Sequence, residues 1–99
     1  MNVSPDAVEH VLADVDGVAE ACVVGLPDDE WGQSVTAVLV LRPGATAPTL
    51  ATVRAAVAGR LGAPSAPRGV VVVGSLPLRG PGKPDRSAVA VLARDLLAH

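Results

Sequence analysis

The sequence predicts an α+β domain, a small three-stranded sheet covered by three helices in the order α-β-β-α-β-α. Three observations carry that expectation. Apolar residues recur at helical spacing in three segments, each preceded by a residue able to cap a helix. Between them lie valine-rich runs suited to strands. The chain has 99 residues, which leaves room for one core and not for two.

The first helix begins at Ser4-Pro5-Asp6. Serine accepts orphan backbone N–H groups, proline suits the first helical position, and aspartate favours the positive end of the dipole. Val8, Val11, Leu12 and Val15 follow at helical spacing, and Asp16-Gly17 stops the helix. Val18 to Val24 reads as a strand ending at Gly25, and Leu26 to Gly32 as a turn-rich loop. Gln33 to Arg42 is a second strand, with Val35, Ala37 and Leu39 on one face and Ser34 and Thr36 on the other. The short loop makes the two strands an antiparallel pair.

A loop from Pro43 to Pro48 leads to Thr49, an N-cap. Leu50, Val53, Val57 and Leu61 then mark one helical face, Arg54 and Arg60 fall off it, and Gly62 ends the helix. Ala63 to Pro67 is expected to be an extended connector. Val70 to Val73, a β-branched run, suits a strand buried on both faces. Leu76 to Pro84 reads as an irregular loop. Asp85 caps a last helix from Arg86 to about Leu97, with Val89, Leu92 and Leu96 inward. No repeat or linker divides residues 1–99.

Composition excludes more than it identifies. The formal net charge is −2, which argues against a nucleic-acid module with its basic stripe. Trp31 is the sole aromatic residue, which removes base-stacking platforms. Cys22 is the sole cysteine, so neither an internal disulfide nor a multi-cysteine zinc site can form. No run reaches the roughly 18 apolar residues of a membrane span. The N-terminus lacks the basic start and apolar stretch of a signal peptide. A cytoplasmic setting is expected. The abundance of Ala, Val, Gly, Pro and Arg reflects GC-rich coding rather than an activity.

Lys83 is the only lysine, against seven arginines. An ammonium is a compact point charge that reaches between two anionic oxygens where a guanidinium is too broad. Gly80 and Gly82 allow a tight loop and the close approach of a phosphate or another backbone. The spacing alone also fits an ordinary exposed loop with a solvated lysine. It is not a Walker A loop, because Pro77 and Pro84 stand where that motif needs Gly and Ser or Thr. His10 reads as a surface histidine and His99 as a disordered terminus. Cys22 reads as an inert core thiol, and Asp28, Asp29 and Glu30 as a solvated turn rather than a metal site. Trp31 is a contact anchor or a cap over the sheet edge.

Four segments carry a resemblance. They are Asn2 to Glu9, Val18 to Asp28, Trp31 to Val35, and Leu76-Pro77 through Gly82-Lys83-Pro84-Asp85-Arg86. In this order they resemble the small C-terminal domain of the acyl-adenylate-forming ligases, the family of acyl-CoA synthetases, luciferases and peptide-synthetase adenylation domains. Three departures stand out. Ala7 replaces a glutamate, Ala63 to Arg68 lacks the usual aromatic residue and second lysine, and Pro84 replaces an aliphatic residue and confines Lys83 to extended backbone angles.

The resemblance implies a mobile domain that swings between an adenylating and a thioester-forming pose. Lys83 takes the position of the family's catalytic lysine, on an adenylate-facing mobile loop with Gly80 and Gly82. It further implies ATP with magnesium and coenzyme A as substrates of the full enzyme, with none held by this chain alone and no metal site in it. The implied partners are a large N-terminal adenylation domain, in the same chain or in trans, and a small carboxylic acid, with no nucleic acid and no membrane span. The hinge and large domain lie outside residues 1–99, so the chain is expected to be an excised domain, inactive in isolation. The connector and the Lys83 loop look most like o-succinylbenzoate–CoA ligases of menaquinone biosynthesis. The alternatives are a fatty or aromatic acid–CoA ligase, and a free-standing binding or regulatory module.

Overall fold

A computed structural model describes residues 3–30 and 32–98. The expected order holds: α1 (Pro5–Ala13), β1 (Val18–Asp28), β2 (Gly32–Leu41), α2 (Leu50–Leu61), β3 (Gly69–Val72) and α3 (Arg86–Leu97). Each helix starts on its expected cap. Ser4 Oγ accepts from the Ala7 N–H at 3.3 Å, Thr49 Oγ1 from Thr52 at 3.1 Å, and an Asp85 carboxylate oxygen from Ala88 at 3.1 Å. Gly62 ends α2 with φ +94, a backbone angle that favours glycine. Thr49 is exposed and far in sequence from the other elements of interest, so its cap is cleanly testable. Thr49→Ala is expected to cost about 1 kcal/mol. In thermal unfolding of the 99-residue chain this appears as a loss of roughly 4–8 °C.

The sheet order is β1-β2-β3, with β1 and β2 antiparallel and β2 and β3 parallel. The parallel step is made through α2, as parallel neighbours require a crossover. The helices are shared between the two faces. Val8, Val11 and Leu12 of α1 and Val53 and Val57 of α2 pack on one face, against Val18, Val23, Ala37 and Leu39. Val89 and Ala93 of α3 pack on the other, with Cys22, Val24, Leu26, Val38, Val71 and Leu76. Successive residues of β2 serve opposite cores, as strand alternation dictates. The expected Val35-Ala37-Leu39 face is present, and Thr36, on the opposite face, is buried.

Several boundaries and faces differ from the sequence-based expectation. β1 runs to Asp28 instead of ending at Gly25, because β1 is an edge strand. Pro27 falls in step with Val23, whose N–H turns away from β2, so its missing N–H removes no ladder bond. The stretch Ala63–Ser65 is a single 3₁₀ turn, not an extended connector. β3 lies at the other sheet edge and is not buried on both faces: Val71 is buried, while Val72 is 41% exposed. In α3 the inward residues are Val89 and Ala93, whereas Leu96 is exposed. Ala93 holds the buried position, Leu92 is half-buried, and Leu97 is exposed beside Leu96. No helix among the described residues is long and apolar enough to cross a membrane.

Candidate functional site

The segment read as an irregular loop between Leu76 and Pro84 is a small hairpin. Leu78 and Pro84 face each other in an antiparallel bridge. Arg79 N–H donates to the Lys83 carbonyl and Asp85 N–H to the Pro77 carbonyl, both at 2.8 Å. These bonds flank the Leu78–Pro84 pair, which is therefore of the kind that exchanges no hydrogen bond of its own. Pro84 loses nothing by lacking an N–H there, and its ring keeps Lys83 in the extended geometry the bridge needs. The tip is a tight turn closed by Lys83 N–H donating to the Gly80 carbonyl at 3.3 Å. Pro81 and then Gly82, at φ +74, occupy its central positions, the pattern of a type II turn. Buried Leu76 anchors the entering strand in the α3-side core.

Lys83, Gly80 and Gly82 come together at this exposed tip. A side chain added at either glycine would meet nothing within 4 Å. Lys83 is itself exposed, so its ammonium can be reached from solvent. Among the described residues no carboxylate lies within ion-pair distance of Lys83. A shallow depression beside it is lined by Arg79, Lys83, Asp85, Arg86 and Ser87. A mounted ammonium with an open approach and no internal counter-ion can serve an anion supplied from outside. The residues present fit a phosphate or carboxylate oxygen at that point.

Three residues beyond Lys83, Arg86 builds the most connected polar cluster of the described residues. One guanidinium nitrogen, Nη1, donates to Glu9 Oε2 and, at 2.9 Å, to the Val23 carbonyl. The other, Nη2, donates at 3.1 Å to both Glu9 Oε1 and Asp6 Oδ1. Glu9 Oε2 also accepts the Val23 N–H at 2.7 Å. Glu9 and Arg86 thus satisfy both outward backbone groups of Val23, from opposite sides of the sheet and around the free edge of β1. The Glu9 hydrogen bond raises the Arg86 pKa further above its ordinary value, against the opposing effect of burial.

Sequence reasoning assigned no role to Glu9 or Arg86, although each closes one of the quoted motifs. One available signal was a cation at the first position of α3, where it opposes the helix dipole and so needs another reason to be there.

Of the remaining candidates, Cys22 lies close to this cluster. His10 is exposed on α1. Cys22 is buried, and burial pushes its thiol pKa up, with Glu9 adding to the rise and Arg86 opposing it. Arg86 Nη1 lies 3.9 Å from its sulfur. In the β1–β2 turn an Asp28 carboxylate oxygen accepts the Glu30 N–H at 2.9 Å. Met1, Asn2, Trp31 and His99 lie outside the described residues.

Comparison with known proteins gives a consistent result. The family model described as AMP-binding enzyme C-terminal domain matches residues 7–83. The chain is 52% identical over 94 residues to a medium/long-chain-fatty-acid–CoA ligase of Mycobacterium tuberculosis, covering 89% of this chain and 16% of that protein. It is 45% identical over 87 residues to a probable 2-succinylbenzoate–CoA ligase of the same species, covering 88% and 23%. Among solved structures, amide bond synthetase McbA from Marinactinospora thermotolerans superposes with a TM-score of 0.84 at 41% identity, over 92% of this chain and 18% of that one. ATP-bound MatB from Rhodopseudomonas palustris gives 0.85 at 31% identity, over 97% and 19%. The chain spans about a fifth of the length of these relatives.

Proposed function

Because the chain belongs to the AMP-binding enzyme C-terminal domain family, we propose that it is the small catalytic domain of an AMP-forming acid–CoA ligase. In such an enzyme a carboxylate oxygen attacks the α-phosphorus of magnesium-bound ATP, and pyrophosphate leaves. The sulfur of coenzyme A, having given up its proton, then attacks the acyl carbonyl, and AMP leaves. The large N-terminal adenylation domain holds the nucleotide and the acid, and this domain reaches in from one side.

Lys83 is the residue proposed to act in the first step. Two anions must approach one another there, and an ammonium between them offsets their repulsion and the charge that builds in the transition state. The observation that carries this reading is the mounting of Lys83. It sits at an exposed turn closed by backbone hydrogen bonds, flanked by Gly80 and Gly82, with no carboxylate partner among the described residues. The second step needs the domain to turn, withdraw the lysine and present another surface, a rigid-body motion about the hinge before residue 2.

The acid is a finer question. A medium- or long-chain fatty acid has the support of the 52% relative, and o-succinylbenzoate, of menaquinone biosynthesis, that of the 45% relative and of the loop motifs. The acid itself is held by the large domain, and the fatty acid is taken first because its relative shares the larger identity. The full-length protein, given ATP, magnesium, coenzyme A and each acid in turn, is expected to release AMP and pyrophosphate and form a thioester with fatty acids. Turnover of o-succinylbenzoate alone would move the assignment to the second reading. Release of no AMP with any acid would sink the ligase reading and favour a free-standing binding module, as would a native polypeptide no larger than 9.9 kDa.

A further inference from the structure

We propose that Arg86 is a positioning residue for Lys83, fixing the base of the lysine hairpin to the free edge of β1 through Glu9 and the Val23 carbonyl. The proposal rests on the reading of Lys83 given above and extends it to the groups that hold the lysine in place.

The hairpin leaves the body of the domain at two points. One is Leu76, buried in the α3-side core. The other is Arg86, the first residue of α3. Between Lys83 and Arg86 stand Pro84, whose ring fixes one backbone angle, and Asp85. Asp85 is itself held twice, by its N–H on the Pro77 carbonyl and by its side chain on the Ala88 N–H. Little freedom remains between the guanidinium and the lysine backbone, so displacement of Arg86 is passed on to Lys83.

Arg86 is in turn closely determined. Its side chain is only partly exposed and donates to one backbone carbonyl and two carboxylates on a different helix. The Glu9 side chain is 18% exposed, and its remaining hydrogen bond comes from the Val23 N–H. The planar fork suits this task and an ammonium does not, since three acceptors on two elements must be met at once. Asp6 adds little, because its side chain is 85% exposed. The pair joins α1, the middle of β1 and the start of α3 at one point.

The test uses the full-length ligase and two separable readouts. Acid-dependent ATP–pyrophosphate exchange reports adenylation, and thioester formation from preformed acyl-adenylate reports the second step. Arg86→Met is expected to lower exchange about tenfold through kcat, the effect of a displaced catalytic group. The KM for ATP and the second step stay within about twofold. Arg86→Lys is expected to fall between Arg86→Met and the parent enzyme, and it covers the case in which Arg86→Met does not fold. In a Lys83→Ala background, either Arg86 substitution is expected to cause less than about a twofold further loss of exchange, since it acts through a group no longer present.

Losses that multiply in that background would overturn the positioning role, as would equal losses in both half-reactions. Lys83→Ala alone tests the underlying reading. A normal exchange rate there would remove the lysine assignment and the positioning role with it. A collapsed rate with multiplying Arg86 losses would remove the positioning role alone.

Discussion

Lys83→Ala in the full-length ligase is expected to reduce acid-dependent ATP–pyrophosphate exchange by about 10²–10³-fold, the scale of losing one preorganised charge donor. Thioester formation from preformed acyl-adenylate is expected to persist at nearly the parent rate, because the proposed domain motion removes the lysine before that step. The effect should fall mainly on kcat, since the lysine is asked to meet charge that develops as the carboxylate and α-phosphate converge. Lys83→Arg is expected to rescue poorly. A guanidinium carries the same charge on a broader, planar head, and the closed turn of Gly80 to Lys83 leaves little backbone adjustment to accommodate it. The measurement is a comparison of the two half-reactions at saturating ATP. Unchanged exchange would end the catalytic assignment, and loss of both half-reactions together would point to a folding defect.

The second large effect concerns stability. Leu39→Ala is expected to destabilise the 99-residue chain by about 2–5 kcal/mol, the range for truncating a fully buried leucine. Leu39 has no exposed surface and lies in the middle strand, paired with Ala21 of β1 and Val72 of β3. It packs among Val8, Leu12, Val23, Val53 and Val57. Most of these neighbours are valines, stiff about their first side-chain torsion, so the space closes only in part. Domains of this size hold about 5–15 kcal/mol in all, so the midpoint of thermal unfolding should drop by roughly 10–30 °C. Leu96→Ala is the control. That leucine is 44% exposed, and its loss should change stability by less than about 1 kcal/mol. Comparable shifts for the two would show that the core is not where the structure places it.

The order of elements was legible because each helix carries its own N-cap, which acts locally, although α1 ends at Ala13, before the expected stop at Asp16-Gly17. Ser4, Thr49, Asp85 and Gly62 all do what their residue types predict. Features that depend on neighbours distant in sequence were not legible. Gly25-Leu26-Pro27 reads as a turn until β1 is known to be an edge strand that can carry a proline. Val70 to Val73 reads as a central strand until β3 is known to lie at the opposite edge. The inward face of α3 was legible at Val89 but in part hidden, because Ala93, a small residue with weak periodicity signal, holds a buried position while Leu96 lies exposed.

The candidate site divides in the same way. Lys83 stood out as the only lysine, set between glycine-rich turn residues. That its loop is a hairpin could not be read from a segment with prolines at 77, 81 and 84, since proline usually argues against pairing. Glu9 and Arg86 are 77 positions apart. No local pattern joins them, and their connection emerges only when α1 and α3 are placed on opposite faces with the free edge of β1 between them.

That placement has a consequence for how molecules of this protein behave toward one another. An open strand edge is a template on which a second molecule can add its own strand, and so a route to aggregation. Val23 lies near the middle of β1, where such an addition would need its N–H and C=O. Both are already taken by Glu9 and Arg86, and Pro27 has no N–H to offer further along. An incoming strand would have to strip a partly buried ion pair from its partners before forming its first bond. The contact that steadies the hairpin therefore also keeps crowded copies from zipping together along β1.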